Sequence, residues 1–297
     1  MKLPGRLLAA GAAALLVAAS VMVATLLTTP LPFLPSLPCL PAVTAPSGSG
    51  YEAAGVAALA DAAVRYATTA TVPQQSRAEI SLSLAVLRRR APLRLLVFGL
   101  GHDSRLWHAL NPGGATVFLE EDPSWYRVVR GQSPFLRAHL VAYRTRLDHA
   151  DLLLDSYKHY PSCLPGGGGD GVPRVRGNAD CPLALHNLPA EVYEHEWDMV
   201  MIDAPKGYFA SAPGRMAAVW TAAVMARGRR GQGDTDVFLH DVDRHVEKAY
   251  AQEFLCDRFR VGGTGRLWHF RIPPASRRGN GTAAGAGAGS DGKRPFC

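Results

Sequence analysis

A short apolar run that ends in two glycines one residue apart constrains this chain more than any other stretch. It reads Leu93-Arg94-Leu95-Leu96-Val97-Phe98-Gly99-Leu100-Gly101-His102-Asp103-Ser104. The run shows no alternation of apolar and polar residues, as expected of a strand buried on both faces of a parallel sheet. Glycine after such a strand lets backbone approach a ligand without a Cβ in the way. The third glycine of a dinucleotide fingerprint is replaced by Ser104. The next apolar run, Thr116 to Leu119, ends in Glu120-Glu121-Asp122, close to the roughly 20-residue spacing at which an acid meets ribose hydroxyls. An ordinary tight turn and a charged loop would have the same composition. Strand, turn, strand and acid in this order favour a nucleoside site, with Gly99, Gly101, Asp103 and Ser104 at the turn and Glu120 or Glu121 on the ribose.

Net charge is +7 and the isoelectric point about 9.3, which suits an acidic partner such as a uronic-acid polymer, nucleic acid or anionic lipid. The densest basic runs are Arg88-Arg89-Arg90 and Arg229-Arg230. Neither is interleaved with aromatics as in single-strand binders, so nucleic acid is not expected as a partner.

Leu7 to Thr29 is an uncharged span of about 23 residues, enough to cross a bilayer. Lys2 and Arg6 precede it and no Lys or Arg follows before Arg65, which orients residues 1–6 to the cytosol and the remainder to the lumen. A cleaved signal peptide is the rival, though its apolar region is typically about 7 to 15 residues. Residues 30–50 are rich in Pro and Ser and read as a stem. Residues 51–274 form the α/β domain, and residues 275–297 a low-complexity tail carrying the glycosylation acceptor Asn280-Gly281-Thr282. In a lumenal domain the five cysteines can form disulfides. Cys163 with Cys181, and Cys256 with Cys297, are the expected pairs. Cys39, in the stem, is free or intermolecular, and buried thiols are the alternative for all five.

Two helices are expected before the sheet, Glu52 to Ala67 and one opened by the capping box Ser76-x-x-Glu79 through Leu87. The expected strands are Leu93–Phe98, Thr116–Leu119, Leu140–Tyr143, Met199–Ile202 and Asp236–Leu239. Helices are expected at about 103–110, after Asp122-Pro123 as N-cap and first residue, at 213–227 as an amphipathic helix, and at 243–254. A hairpin pairs Phe259–Val261 with Arg266–Ile272 around Gly262-Gly263-Thr264-Gly265. Alternating strands and helices predict a doubly wound parallel sheet. The final antiparallel hairpin points to the class I S-adenosylmethionine-dependent methyltransferase-like (Rossmann-like) fold.

Ligands in such sheets bind beyond the carboxyl ends of the strands, where Asp203 and His240-Asp241 stand. Asp203 suits a general base within about 3 Å of an acceptor hydroxyl. It also suits a ligand of a divalent cation together with Asp241 or His240. For His240, ligand, base and satisfied core histidine all remain open. Lys206, Tyr208 and Arg215 follow strand four, and an arginine near a helix start can clamp a carboxylate bidentately or lie as a solvated helix-end charge.

Taken together, Val97-Phe98-Gly99-Leu100-Gly101-His102-Asp103-Ser104, Val117-Phe118-Leu119-Glu120-Glu121-Asp122, Leu188-Pro189-Ala190-Glu191-Val192-Tyr193, Ile202-Asp203-Ala204-Pro205, Pro213-Gly214-Arg215-Met216 and Asp236-Val237-Phe238-Leu239-His240-Asp241-Val242 resemble the plant polysaccharide-biosynthesis family of glucuronoxylan 4-O-methyltransferases. Phe254-Leu255-Cys256 and the terminal Phe296-Cys297 extend the likeness. The resemblance implies a single-pass type II protein of the Golgi membrane with a lumenal catalytic domain. It implies methyl transfer from S-adenosylmethionine to O4 of glucuronic acid on glucuronoxylan, a divalent metal in some members, and association with other xylan-synthesis enzymes. One branch of the family methylates glucuronic acid on arabinogalactan. Another, of the irregular-xylem type, lacks a clear transferase role and differs at the glycine turn and acidic cluster, both of which this chain keeps. A nicotinamide oxidoreductase is the rival outside the family, and Ser104 in place of the third glycine speaks against it.

Overall fold

The alternation of side chains along β1 divides the core into two layers. In the computed structural model, which describes residues 50–70, 74–165, 172–275 and 295–297, β1 is Arg94–Phe98. Its Leu96 and Phe98 join one apolar cluster and its Leu95 and Val97 the other, as a period of two requires. The remaining parallel strands are β2 (Ala115–Glu120), β3 (Arg137–Leu140), β4 (Met199–Ile202) and β5 (Thr235–Leu239), followed by the antiparallel pair β6 (Arg260–Thr264) and β7 (Leu267–Ile272). The sheet order is β3-β2-β1-β4-β5-β7-β6, the mostly parallel, methyltransferase-like Rossmann arrangement with its terminal hairpin. Chain order reverses between β1 and β4, which opens a crevice at their carboxyl ends.

Helices α1 (Gly50–Thr68), α2 (Arg77–Arg90), α3 (Ser104–Ala109) and α4 (Pro123–Gln132) come first. The capping box forms as read: Ser76 Oγ accepts from the Glu79 amide, and the Ser76 amide donates to Glu79. Asp122 caps α4, accepting from the amides of Ser124 and Trp125 at 2.9 and 3.1 Å. Short helices α5 (Ala150–Ser156) and α6 (Ala190–Glu194), which the sequence reading does not include, lie in the long connection to β4. Cys163–Cys181 and Cys256–Cys297 are disulfide-bonded.

Four expectations need correction. Strand three is Arg137–Leu140, three residues before the apolar run Leu140–Tyr143. An edge strand needs no such run, and its polar Arg137 and His139 serve because only β2 pairs with it. Helix α7 is Met216–Arg227 and is not amphipathic, since all but one of its residues are buried. One side meets the sheet, and the disulfide-bonded connection covers the other: Trp220 Nε1 donates to the Cys163 carbonyl and the Leu185 amide to Thr221 Oγ1. Helix α8 stops at Tyr250 (His245–Tyr250) and continues as a π-turn over Ala251–Leu255. The hairpin bends at Gly265-Arg266, with Gly262 and Gly263 inside β6. A Cβ on Gly263 would stand 3.0 Å from Trp268 Cδ1, so glycine is needed there for packing and not for the turn.

The expected membrane span 7–29 and the stem up to residue 49 lie outside the described residues, as do the glycine-rich stretch 166–171 and the tail 276–294 with Asn280. Among the described residues, no helix is long and apolar enough to cross a membrane.

Trp220 is fully buried between the sheet and the disulfide-bonded cover. Trp220→Ala is expected to lower stability by about 3–5 kcal/mol, read as a fall in the denaturant midpoint at unchanged slope.

Candidate active site

One cavity of about 690 Å³ runs from the glycine turn to the ends of β4 and β5, well inside the range of small-molecule sites. Ten of the twelve residues singled out in the sequence line it: Gly99, Gly101, Asp103, Glu120, Glu121, Asp203, Lys206, Tyr208, Arg215 and Asp241. Ser104 and His240 do not.

The turn is built from backbone. Gly99 has φ +126°, and a Cβ on it would also press on Ala204 at 3.2 Å. That close approach brings the β4 loop against the turn, with the amides of Asp203 and Ala204 both donating to the Phe98 carbonyl at 3.0 Å. A Cβ on Gly101 would meet Asp103 Oδ1 at 2.5 Å. Ser104 is a correction to the expected cofactor contacts. It is buried, and its Oγ accepts from the Gly101 amide at 2.9 Å, bracing the turn from behind. Asp103 faces the cavity while accepting from Trp107 Nε1 at 2.7 Å.

Glu120 closes the far side of the turn. Its carboxylate accepts the amides of Leu100, Glu121 and Asp122 at 3.1, 3.0 and 2.8 Å. Those three bonds leave one of its roughly four lone-pair positions for a ligand. Burial pushes its carboxyl up to about 7 and the Glu121 charge adds to this, against the stabilising amides. Glu121 accepts the Lys206 amide at 3.0 Å, which ties the β4 loop to the acidic cluster. Trp125 from α4 lines the same end of the cavity and donates from Nε1 to the Leu100 carbonyl.

At the other end, Asp203 and Asp241 converge on Arg215. Its Nη2 lies 3.2 Å from Asp203 Oδ1 and 2.8 Å from Asp241 Oδ2, and it donates to the carbonyls of Asp203 and His240, both at 2.7 Å. Arg215 is buried with its donors spent on these groups, so it is the internal partner of two acids and not a clamp for a substrate carboxylate. Asp241 adopts φ +61°, an uncommon conformation for a residue with a Cβ, which turns its carboxylate into this cluster. Arg244 and Arg266 reach it at 3.0 and 2.6 Å. His240 Nδ1 bonds Asp203 Oδ1 at 2.9 Å, while its buried Nε2 lies 3.6 Å from Glu79 Oε1. It stands behind Asp203 and orients it. Burial works to raise the Asp203 carboxyl, but the bonds from His240, Arg215 and Gln75 outweigh it and hold the group below its ordinary range.

Asp203, His240 and Asp241 offer ligand atoms within 4.8 Å of one another, the spacing a cation needs. Their oxygens, however, are already engaged. Asp203 Oδ2 accepts from Gln75 at 3.0 Å, Asp203 Oδ1 faces His240 and Arg215, and both oxygens of Asp241 face guanidiniums. A divalent ion would have to displace an arginine, so the cluster as folded does not fit the expected metal.

Lys206 Nζ bonds Asp122 Oδ2 at 2.6 Å, and the pair holds the Asp122 carboxyl at about 2. Tyr208 is exposed at the mouth. Sequence reasoning did not reach Gln75, Arg244 and Arg266 as site residues, and took Glu79 only as a helix cap. Their only sequence signal was position: they flank the capping box, open α8 and form the hairpin tip.

The IRX15/IRX15L/GXM family model matches residues 78–270. Arabinogalactan O-methyltransferase 2 of Arabidopsis thaliana is 59% identical over 213 residues, 72% of each chain. Glucuronoxylan 4-O-methyltransferase 1 of the same plant is 45% identical over 239 residues, 80% of this chain and 79% of that one. Protein IRREGULAR XYLEM 15, also from Arabidopsis thaliana, is 38% identical over 189 residues, 62% of this chain and 56% of that one.

Removing Arg215 leaves two neighbouring acids, Asp241 buried and Asp203 partly exposed, without the guanidinium they share. Arg215→Met is expected to cost about 3–5 kcal/mol, measured by chemical unfolding, with Asp203→Asn in the same background recovering part of the loss.

Proposed function

This chain belongs to the IRX15/IRX15L/GXM family, and from that premise we propose that it is an O-methyltransferase acting from S-adenosylmethionine on the 4-hydroxyl of glucuronic acid in arabinogalactan. The observation that carries the acceptor is the similarity itself: among the relatives compared, identity is higher to the arabinogalactan enzymes than to the glucuronoxylan ones. Glucuronoxylan, the acceptor first expected from the motifs, is the second reading and rests on the same strand-end residues. We place the domain in the Golgi lumen, held by the apolar span 7–29, with an acidic polysaccharide as its partner.

The residues fit the cofactor. A bare backbone turn with a left-handed glycine, a cavity of sufficient size and a buried acid at the end of β2 are what a nucleoside with a charged tail requires. Gly99 and Gly101 would hold it at the turn, with Glu120 or Glu121 accepting from the ribose hydroxyls. When bound, the sulfonium supplies an electrophilic methyl carbon.

The protein's own part is to position the hydroxyl and take its proton. An acceptor hydroxyl taking that methyl group would become strongly acidic, and the protein must receive its proton. A weak base in its charged form then suffices. Asp203 meets that need: it is ionised, faces the cavity and is aimed by His240, Arg215 and Gln75.

Purified lumenal domain with labelled cofactor should methylate unmethylated arabinogalactan faster than unmethylated glucuronoxylan. The reverse order selects the second reading, and folded protein that binds no S-adenosylmethionine selects a non-catalytic role. Asp203→Asn should lower kcat by about 10²–10⁴-fold with cofactor affinity retained.

Glu120 sets a pH dependence for cofactor binding. Ribose hydroxyls donate to the ionised carboxylate, and the group titrates at about 7, above its ordinary range. Affinity for S-adenosylhomocysteine should therefore rise as pH passes upward through about 7 and level off above it. Binding calorimetry should show proton release below that point, and Glu120→Gln should flatten the profile.

A further inference from the structure

We propose that Arg244 and Arg266 form a carboxylate subsite beside Asp203, which makes the cavity selective for a uronic acid over its neutral counterpart. The inference rests on the reading above that a sugar hydroxyl is presented to Asp203.

Asp241 is one buried carboxylate facing three guanidiniums. Arg215 is sealed and shared with Asp203. Arg244 and Arg266 are different: both are partly exposed and both line the cavity. Arg266 donates to Asp241 Oδ1 at 2.6 Å and to the Gln74 carbonyl at 2.9 Å. Arg244 reaches Asp241 Oδ2 at 3.0 Å and the Gly207 carbonyl at 3.4 Å. A guanidinium has five N–H donors, so each keeps donors for a ligand.

The local charges are balanced, so what the subsite offers is directed N–H donors. Asp203, Asp241 and the ionised Glu79 supply three negative charges against three guanidiniums. Glu79 is committed to the Ser76 and Arg266 amides and to His240. Glu247 lies 3.6 Å from Arg244, but neither of its buried oxygens has a hydrogen-bond partner, and burial drives it toward the neutral acid. Of the cavity's other cations, Lys206 is paired with Asp122, and Arg65, from α1, bonds Gln132 and has no contact with Asp241.

Position supplies the selectivity. Arg244 caps α8 and Arg266 stands at the hairpin tip, and Asp241 fixes both from opposite oxygens. Asp241 is joined to Asp203 through one nitrogen of Arg215. In a hexuronic acid the carboxylate is borne by the ring carbon next to the one carrying the 4-hydroxyl. A sugar that offers this hydroxyl to Asp203 therefore carries its carboxylate to the adjacent arginines, a pairing whose planar geometry favours arginine over lysine.

The test compares a glucuronoside acceptor with its methyl ester. Wild-type protein should prefer the acid. Arg244→Gln and Arg266→Gln should each raise KM for the acid by about tenfold or more, raise KM for the ester by less, and bring the acid-to-ester preference toward one. Arg266→Lys should retain part of the preference, and S-adenosylhomocysteine affinity should stay at the wild-type value. Equal losses of kcat on both acceptors, with the preference intact, would mean that the arginines only hold Asp241 and would overturn the subsite. Ligand-observed NMR with methyl glucuronoside against methyl glucoside reads the subsite without turnover. Binding of the acid that is lost in Arg266→Gln supports it even if wild-type protein methylates nothing, an outcome that would instead overturn the proposed activity. Equal binding of the acid by wild type and variant would also overturn the subsite.

Discussion

A single buried guanidinium holds the carboxyl ends of β4 and β5 in one piece. Arg215 bonds side chain and carbonyl of Asp203, the carbonyl of His240 and the side chain of Asp241. Two carboxylates this close, Asp241 buried and Asp203 only partly exposed, would otherwise repel and drive one toward protonation. Burying the guanidinium is itself expensive, and it is tolerated because nearly every donor finds an acceptor. The left-handed backbone of Asp241 makes sense on the same terms, since an unfavourable φ persists where surrounding bonds over-determine it. The outcome is a carboxylate that is oriented and paired in advance, the state in which the proposed base would act without reorganisation.

The crossover between β1 and β4 adds the second half. Because chain order reverses there, the glycine turn and the Asp203 loop sit against each other, close enough for the Gly99 position to exclude a Cβ. Glu120 then ties the turn to β2 through the Leu100 amide while accepting the amides of its own next two residues, and Glu121 ties in the loop by accepting the Lys206 amide. The glycine turn and the Asp203 loop are thus one hydrogen-bonded frame. A change at Glu120 is felt at the turn it braces before it is felt by any ligand.

What could be read from the chain follows from how local each feature is. The buried strands β1, β4 and β5 are apolar runs with their acids at the ends, so both strands and site positions were visible. The capping box at Ser76 and the Asp122-Pro123 helix start are local chemistry and formed as read. Edge strand β3 was misplaced because it has one partner and no need of an apolar run. Helix α7 was expected to be amphipathic although Met216–Arg227 is apolar on nearly every side, which is the mark of a helix covered on both faces. Arg215 shows the limit most clearly. A guanidinium at a helix start looks the same in sequence whether it faces solvent or two acids. Gln75, Arg244 and Arg266 reach the site from a helix entrance, a short helix cap and a hairpin tip, at separations of 128 residues for Gln75 to Asp203 and 25 for Arg266 to Asp241, which no local pattern encodes.

The acid–imidazole–acid cluster invites comparison between two ways of neutralising buried carboxylates. A divalent cation would draw the oxygens inward and leave positions open for substrate oxygens. Arginines instead satisfy each oxygen with an N–H and keep the charge spread over planar groups that also present donors outward. The second arrangement is the one built here, and it changes what the site can discriminate. A bare cation attracts any oxygen anion, whereas the proposed subsite of Arg244 and Arg266, both held by Asp241, would favour a planar carboxylate at a set place relative to Asp203. That selectivity belongs to the terminal sugar and not to the polymer behind it. Under the proposed activity the polymer behind that sugar would meet the mouth of the cavity, where Tyr208 is exposed and Phe209 packs edge-on against it.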